Sequence, residues 1–299
     1  DPPVEVRGVA ATLEAVLLPA LFTSPCLVAF SGGRDSSTLL AVLAGLARRH
    51  GLDAPVPITV RFDEPRTSED EWQELVVRHL ALTDWQVLTH GSELDAVGAI
   101  AGEAIRRHGP YWPGNAHAIV PLLRAAAGGT LVTGTGGDEV FSAVSQRAAE
   151  SPAHAAGAYK RVGRRVLSVA PFGVRLRIQY RSLLRLPWLR PRARREIRHR
   201  FVEMFRKAGS GAADPIEQLH GSRYLELAGS IFAALARDAG TVLSQPFLDR
   251  RFFRAALDAA PLGGFPRRGD ALAAWFGEIL PSATIRRSTK ARFTEVLWG

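Results

Sequence analysis

The first half of the chain alternates short apolar runs with longer amphipathic stretches. Four runs have the length and apolar content of buried strands: 27–30, 56–62, 85–88 and 130–133. Apolar residues at helical spacing lie between or beside these runs: 36–50, 69–82, 94–108 and 118–127. This alternation predicts a parallel sheet whose strands are joined by crossover helices.

Strand-like alternation largely stops near residue 151, and helical patterns interrupted by prolines extend to the C-terminus. We therefore predict an α/β fold: a parallel sheet of about five strands with flanking helices, followed by a mostly helical C-terminal half. Residues 1–150 would form the α/β region, and residues 151–299 a helical region that completes one compact unit. With 299 residues, 46% of them hydrophobic, the chain is large enough for an extensive core.

Composition excludes several classes of protein. The chain has no run of about 18 apolar residues, and its first residues lack the basic and then apolar order of a signal peptide. We therefore expect a cytoplasmic protein that does not bind membranes. The single cysteine, Cys26, excludes an internal disulfide and a multi-cysteine zinc site, and its apolar neighbours predict a buried side chain.

Positive charge is concentrated in one segment. Residues 160–207 carry 16 basic and two acidic side chains, whereas the net charge of the whole chain is +9. Basic residues interleaved with apolar ones are typical of solvated helix faces, which is the interpretation we favour. An acidic or peptide partner is the second interpretation, and nucleic acid is the third.

The sequence SGGRDSS at 31–37 directly follows a predicted strand and opens a predicted helix. Glycines let backbone N–H groups approach an anion, and a helix N-terminus adds partial positive charge, so this segment predicts phosphate binding. The candidate phosphate ligands are Ser31, Gly32, Gly33, Asp35, Ser36 and Ser37. An aspartate beside phosphates indicates either a Mg²⁺ ligand or a helix cap. The segment has neither the Gly-Lys-Ser/Thr ending of a Walker loop nor the dinucleotide-binding fingerprint.

A second glycine-rich segment, TGTGGDEVF at 133–141, follows the fourth predicted strand. Ligands bind at the carboxyl ends of the strands in open parallel sheets, so both segments are predicted to face one crevice. Asp35 and Asp138 would together supply the hard oxygen ligands that Mg²⁺ prefers beside phosphates.

These segments resemble a known family. SGGRDSS resembles the pyrophosphate-binding loop of ATP pyrophosphatases, which cut ATP between its α- and β-phosphates. With the GGDE string at 136–139, it resembles the asparagine synthetase family. QPFLDRR at 245–251 and RSTKARF at 287–293 resemble that family's Pro-Phe-Leu-Asp and Arg-x-x-Lys motifs. The resemblance spans Val9 to Phe293 and implies an adenine nucleotide α-hydrolase-like sheet, ATP and Mg²⁺, and adenylation of a carboxylate.

The resemblance also assigns roles to residues. Lys290 would approach the α-phosphate and stabilise the charge that develops as pyrophosphate leaves, and it would form the catalytic set with Asp35 and Asp138. The remaining expected nucleotide contacts lie at or near strand ends: Phe30, Val60, Thr133, Gly134 and Gly137.

Some positions depart from the family pattern. Thr135 stands where asparagine synthetases have glutamate and β-lactam synthetases have tyrosine, and threonine is no general base at neutral pH. The proton of the amine would then pass to water or to a side chain, the candidates being His117, Glu64 and Glu139. Arg34 either adds a phosphate contact or points to solvent. The acidic run Glu69-Asp70-Glu71 fits a family acidic pair and helix-start charge equally well.

The glutaminase domain of asparagine synthetases is absent from this chain, so either it was removed or the amine is already on the substrate. Lasso-peptide cyclases of this superfamily close a peptide Asp or Glu side chain onto the peptide's N-terminal amine. We therefore expect an acidic peptide or amino-acid-derived carboxylate as substrate, with a peptidase and a leader-peptide binder as partner proteins. The loop at 111–115 and the segment at 186–189 would receive the peptide. Three alternatives are a tRNA-modifying enzyme with the same loop, an asparagine synthetase domain separated from its glutaminase, and a non-catalytic nucleotide-binding scaffold.

Overall fold

The computed structural model describes residues 8–62, 68–150, 189–208, 215–261 and 264–287. Five strands form one sheet in the order β3-β2-β1-β4-β5, and every pairing is parallel. The strands are β1 Cys26–Ala29, β2 Val56–Phe62, β3 Gln86–His90, β4 Thr130–Val132 and β5 Val242–Ser244. This architecture confirms the predicted α/β fold with a five-stranded parallel sheet.

Helices connect and cover these strands. In the first half they are α1 Val9–Leu17, α2 Arg34–His50, α3 Asp70–His79, α4 Ala99–His108, α5 Val120–Ala125 and α6 Gly137–Glu150. In the second half they are α7 Pro191–Ala208, α8 Pro215–His220, α9 Arg223–Asp238, α10 Arg250–Ala259, α11 Arg268–Phe276 and α12 Ser282–Arg286. None of the described helices is long and apolar enough to cross a membrane.

Strand β5 comes from the half predicted to be helical. It is three residues long, too short for a periodic pattern, and it pairs with β4 in the register Thr130 to Val242. The sheet therefore uses residues from both sides of the expected boundary at 150, and the division into two regions stays a prediction.

The sheet is covered on both faces, which explains why its central strands read as continuous apolar runs. Val28 and Val132 belong to a core formed with α1, α2 and α10, whereas their neighbours Leu27 and Leu131 belong to a second core formed with α4, α5 and α9. Cys26 lies in the first core, and burial raises the pKa of its thiol to about 12, so it packs as a small apolar residue.

Helix α2 carries the first motif into this core. Its apolar side chains at helical spacing are fully buried, each contributing roughly 1.5 to 3 kcal/mol of transfer free energy: Leu39, Leu40 and Leu43. The helix ends at Gly51, whose φ of 63° is the left-handed conformation typical of a helix stop. The N-terminus of α2 is thereby fixed at the carboxyl end of β1.

Helix α7 makes up most of the described part of the basic segment, and residues 160–188 lie outside the described ranges. Arg192, Arg195 and Arg200 are exposed on α7, and Arg200 Nε donates to Glu196 Oε1 at 2.8 Å within the same helix. These contacts agree with a solvated helix face in this part of the segment.

Candidate active site

The two glycine-rich segments meet where the strand order reverses. The chain leaves β1 toward β2 on one side of the sheet, whereas β4 is followed by β5 on the other side. Strands β1 and β4 are neighbours, so the loops after them lie side by side at their carboxyl ends. This switch point is where open parallel sheets bind ligands.

The first loop is shaped to present backbone N–H groups. Gly32 has a φ of 72°, and a Cβ there would lie 2.9 Å from Gln73 Cγ. Ser31 Oγ lies 3.2 Å from Ser36 Oγ and accepts from Gly33 N at 3.3 Å. No side chain of the described residues caps the N-terminus of α2, so its first-turn N–H groups are positioned for an anion.

The second loop packs directly on the first. A Cβ on Gly137 would lie 2.7 Å from Asp35 Oδ2, and one on Gly134 would lie 3.3 Å from Asp35 Cβ. Gly136 has a φ of 92°, and a Cβ there would lie 2.5 Å from Leu248 Cδ2. The loop is therefore held between the first motif and the Pro-Phe-Leu-Asp segment, and a side chain at Gly136 or Gly137 would overlap a neighbouring residue.

Arg268, at the start of α11, joins the two predicted metal ligands. Its Nη2 forms an ion pair with Asp35 Oδ2, its Nη1 donates to Asp138 Oδ1, and its guanidinium carbon lies 5.2 Å from the Phe141 ring centre. Burial raises the pKa of Asp35 and the charge of Arg268 opposes that rise. Asp35 is the second residue of α2 and Asp138 the second residue of α6, so two helix N-termini converge on this charge cluster.

A second arginine joins the C-terminal motif to the first loop. Arg287 is buried, forms an ion pair with the buried Glu69, and donates from Nη1 to the Gly32 carbonyl at 3.0 Å. Its guanidinium also lies 4.8 Å from the Trp72 ring centre. Glu69 is therefore more than helix-start surface charge. Lys290, three residues further on, lies outside the described residues.

Comparison with protein-family models decides the family. The model described as asparagine synthase matches residues 11–296, which is nearly the whole chain. The chain belongs to the asparagine synthase family. Comparison with curated proteins gave no match. Members of this family are ATP-dependent carbon–nitrogen ligases that form AMP.

The carboxylates fit the Mg²⁺ that asparagine synthase family enzymes typically use. Asp35 and Asp138 are close enough to share one guanidinium, and Asp35 Oδ1 is buried without a hydrogen-bond partner among the described residues. No group of three or more His, Cys, Asp or Glu side chains gathers as a metal site within those residues. Mg²⁺ commonly takes one or two carboxylates and completes its shell with phosphates and water. It would neutralise phosphate charge at this place.

The predicted nucleotide contacts lie along the same edge. Phe30 follows β1; its N–H donates to the Ile58 carbonyl at 2.8 Å and its carbonyl accepts from Thr59 Oγ1 at 2.7 Å. Thr133 follows β4 and donates its N–H to the Ser244 carbonyl at 2.9 Å. Val60 lies within β2, half-buried, and pairs with Leu88. Ser37 is fully buried, and its hydroxyl has no hydrogen-bond partner in the described ranges.

The candidate acceptors of the amine proton differ in their surroundings. His117 is fully buried, with Nδ1 3.2 Å from Tyr111 Oη and Nε2 2.9 Å from the Leu94 carbonyl oxygen. Both ring nitrogens are therefore engaged in the core, which is the place of a structural histidine. Thr135 Oγ1 accepts from Thr133 Oγ1 at 3.1 Å. Glu139 is half-buried in the first turn of α6, and Glu64 lies outside the described residues.

Sequence analysis missed Arg268 and the pairing of Arg287 with Glu69. Arg268 lies in none of the four family motifs. The only feature of the sequence that marks it as a candidate site residue is the glycine that follows it, Gly269. A Cβ on Gly269 would lie 3.0 Å from the Ile285 carbonyl oxygen and 3.4 Å from Arg34 Nη1, which places the Arg34 guanidinium next to the start of α11. The pKa of Arg34 is lowered by burial and then by the nearby charge of Arg268. Arg34 thus borders the site rather than pointing away from it.

Proposed function

We propose that this chain is an amide ligase that adenylates a substrate carboxylate with ATP and passes the acyl group to an amine. One observation carries the proposal. Asp35 and Asp138, from two different loops, meet around one guanidinium at the N-termini of α2 and α6. Such a site suits a metal-bound polyphosphate, because helix N-termini attract phosphate and paired carboxylates require a cation.

The chemistry assigned to this site has two steps. A carboxylate oxygen attacks the α-phosphorus while the bond to the α,β-bridging oxygen breaks, so pyrophosphate leaves with the bonding electrons. The amine nitrogen then attacks the acyl carbon, the bond to the AMP oxygen breaks, and the proton of the amine passes to solvent. The first loop would hold pyrophosphate, and Lys290 would stabilise charge on the α-phosphate.

The proposed substrate is an acidic peptide that closes on its own amine, as in lasso-peptide macrocyclisation. The loop at 111–115 supports this choice, because Tyr111 Oη contacts the buried His117 while Trp112 next to it is 55% exposed. An anchored loop that presents an aromatic side chain is typical of recognition surfaces. Exposed arginines on α7 would suit an acidic peptide: Arg192, Arg195 and Arg200. A peptidase and a leader-peptide binder are the proposed partner proteins, and the cytoplasm is the proposed location.

ATP–pyrophosphate exchange in the presence of Mg²⁺ tests adenylation directly. The acids to screen are free aspartate, free glutamate, small carboxylic acids and acidic peptides. We expect one class to stimulate exchange, and the signal to disappear in Asp138→Asn and Lys290→Ala. Asp258→Asn is the matched control, since Asp258 is an exposed carboxylate on α10.

Two outcomes count against the proposal. Exchange that survives in Asp138→Asn would remove the assigned metal ligand from the reaction. Absence of exchange with every acid, together with RNA that copurifies and dissociates in salt, would favour a tRNA-modifying enzyme instead.

A further inference from the structure

The guanidinium of Arg268 contacts the two carboxylate oxygens that a metal ion would need. It contacts Asp35 Oδ2 and Asp138 Oδ1 at once, although the Asp35 side chain is 22% exposed and that of Asp138 is 68% exposed. Two carboxylates brought this close repel each other unless a cation lies between them. Arg268 supplies that positive charge.

Arg268 and Mg²⁺ compete for this position. A Mg²⁺ ion lies about 2.0 to 2.1 Å from its oxygen ligands, so it would use the lone pairs that now accept from the guanidinium. Two cations on the same oxygens also repel each other. Binding of Mg²⁺ between Asp35 and Asp138 therefore requires that Arg268 release at least one of them.

Two buried polar atoms beside this cluster have room for a further ligand. Arg268 Nε is buried and has no hydrogen-bond partner among the described residues, and Asp35 Oδ1 is in the same condition. Buried polar atoms are nearly always paired, so an unpaired donor and an unpaired acceptor in one crevice indicate a missing ligand. A phosphate oxygen would satisfy the donor, and a metal ion or its water would satisfy the acceptor.

We propose that Arg268 is a phosphate-binding residue which holds Asp35 and Asp138 together in the nucleotide-free protein and turns to the pyrophosphate group when the metal binds. The proposal rests on the proposed function, because it takes a metal-bound polyphosphate as the ligand. Arginine is suited to both partners, since its planar fork matches carboxylate and phosphate geometry alike. The Phe141 ring under the guanidinium gives it a surface along which to turn.

The alternative is that Arg268 only holds α11 against α2 and α6. Metal binding without nucleotide separates the two roles, and Mn²⁺ is the probe because its free form is counted by electron paramagnetic resonance. If Arg268 competes with the metal, Arg268→Gln binds Mn²⁺ about tenfold more tightly than the unchanged protein. Equal or weaker Mn²⁺ binding by a folded Arg268→Gln protein would overturn the competition.

Pyrophosphate binding at saturating Mg²⁺ tests the second half of the proposal, because the metal is then bound and Arg268 is released to the pyrophosphate. Calorimetric titration should show about tenfold weaker pyrophosphate binding by Arg268→Gln, and an intermediate loss for Arg268→Lys, which keeps the charge without the fork. Unchanged affinity in Arg268→Gln would overturn phosphate binding by this residue. If the glutamine variant does not fold, Arg268→Lys keeps the pyrophosphate test decisive.

Arg78→Gln is the matched control for both titrations. Arg78 is exposed and lies 3.8 Å from Glu74, so this change also removes a guanidinium and leaves a carboxylate behind. It should change neither affinity. If the unchanged protein binds no pyrophosphate and catalyses no exchange, the proposed function fails. If the unchanged protein binds pyrophosphate and catalyses exchange, but the Arg268 variants have the same Mn²⁺ and pyrophosphate affinities as Arg78→Gln, this inference alone fails.

Discussion

Two arginines from the C-terminal part of the chain contact the first loop and its helix, and their surroundings differ. Arg287 has an acidic partner in Glu69, a backbone acceptor in Gly32 and the face of an aromatic ring. Arg268 has two carboxylates but keeps a buried N–H without a hydrogen-bond partner in the described structure. A satisfied buried charge is part of the architecture, whereas an unsatisfied one indicates a place for a ligand.

The largest expected effect is a loss of stability at the buried pair of Arg287 and Glu69. Arg287→Ala should lower the free energy of unfolding by about 3 to 5 kcal/mol, because it leaves the carboxylate of Glu69 buried without its cation. Denaturant unfolding measures this loss. The double variant Glu69→Leu with Arg287→Met should be more stable than Arg287→Ala. A loss below about 1 kcal/mol for Arg287→Ala, the range of an exposed pair, would contradict the buried pairing.

The next effect tests how tightly the second loop is packed. Gly136→Ala should cost about 2 to 4 kcal/mol of unfolding free energy, because the left-handed backbone is strained and the new Cβ overlaps Leu248. Gly240→Ala is the control: its φ is 63° but nothing lies within 4 Å of its Cβ, so only the strain of about 1 to 2 kcal/mol remains. Equal costs for the two variants would show that the loop has room.

His117 extends the comparison to another fully satisfied buried group. His117→Asn should lower the free energy of unfolding by about 1 to 3 kcal/mol, because Tyr111 Oη or the Leu94 carbonyl loses its partner. Thermal unfolding and ATP–pyrophosphate exchange are measured on the same sample. Loss of exchange by a variant of unchanged stability would assign His117 to the reaction instead of the core.

The smallest effect concerns the aspartate of the Pro-Phe-Leu-Asp segment, a satisfied group near the surface. Asp249 caps α10 by accepting from Arg251 N at 2.8 Å, so Asp249→Ala should cost about 1 kcal/mol. Burial alone would raise the pKa of Asp249, but its hydrogen bonds to Arg251 outweigh burial and lower it. A lowered pKa means that the carboxylate stabilises the fold above about pH 4 and ceases to do so as the pH falls through that lowered value.

Denaturant unfolding of Asp249→Ala at pH 7 and pH 3 checks this sign. The difference from the unchanged protein should shrink at pH 3. A difference that grows on acidification would contradict the cap.

The two glycine-rich loops and the two arginines differ in how far the sequence predicts their positions. The strands before the two loops are apolar runs, and the glycines and aspartates of the loops directly follow these strands. The sequence therefore predicts that Asp35 and Asp138 share one crevice. Arg268 and Arg287 reach this crevice only through the tertiary fold, and Arg287 contacts a residue 255 positions away. Local periodicity carries no information about such pairs. Strand β5 was missed for a similar reason, since its three residues pair with β4 only after the chain has folded.

The most direct test of the central claim is calorimetric titration with an ATP analogue whose α,β-bridging oxygen is replaced by a methylene group. Binding should require Mg²⁺ and weaken by at least about tenfold in Asp35→Asn and in Asp138→Asn. The fold-loss of affinity in the double variant, relative to the unchanged protein, should be smaller than the product of the two single losses, because both carboxylates serve one site. Binding that neither substitution changes would show that the nucleotide binds elsewhere, and the account of the two loops as one ATP site would be wrong.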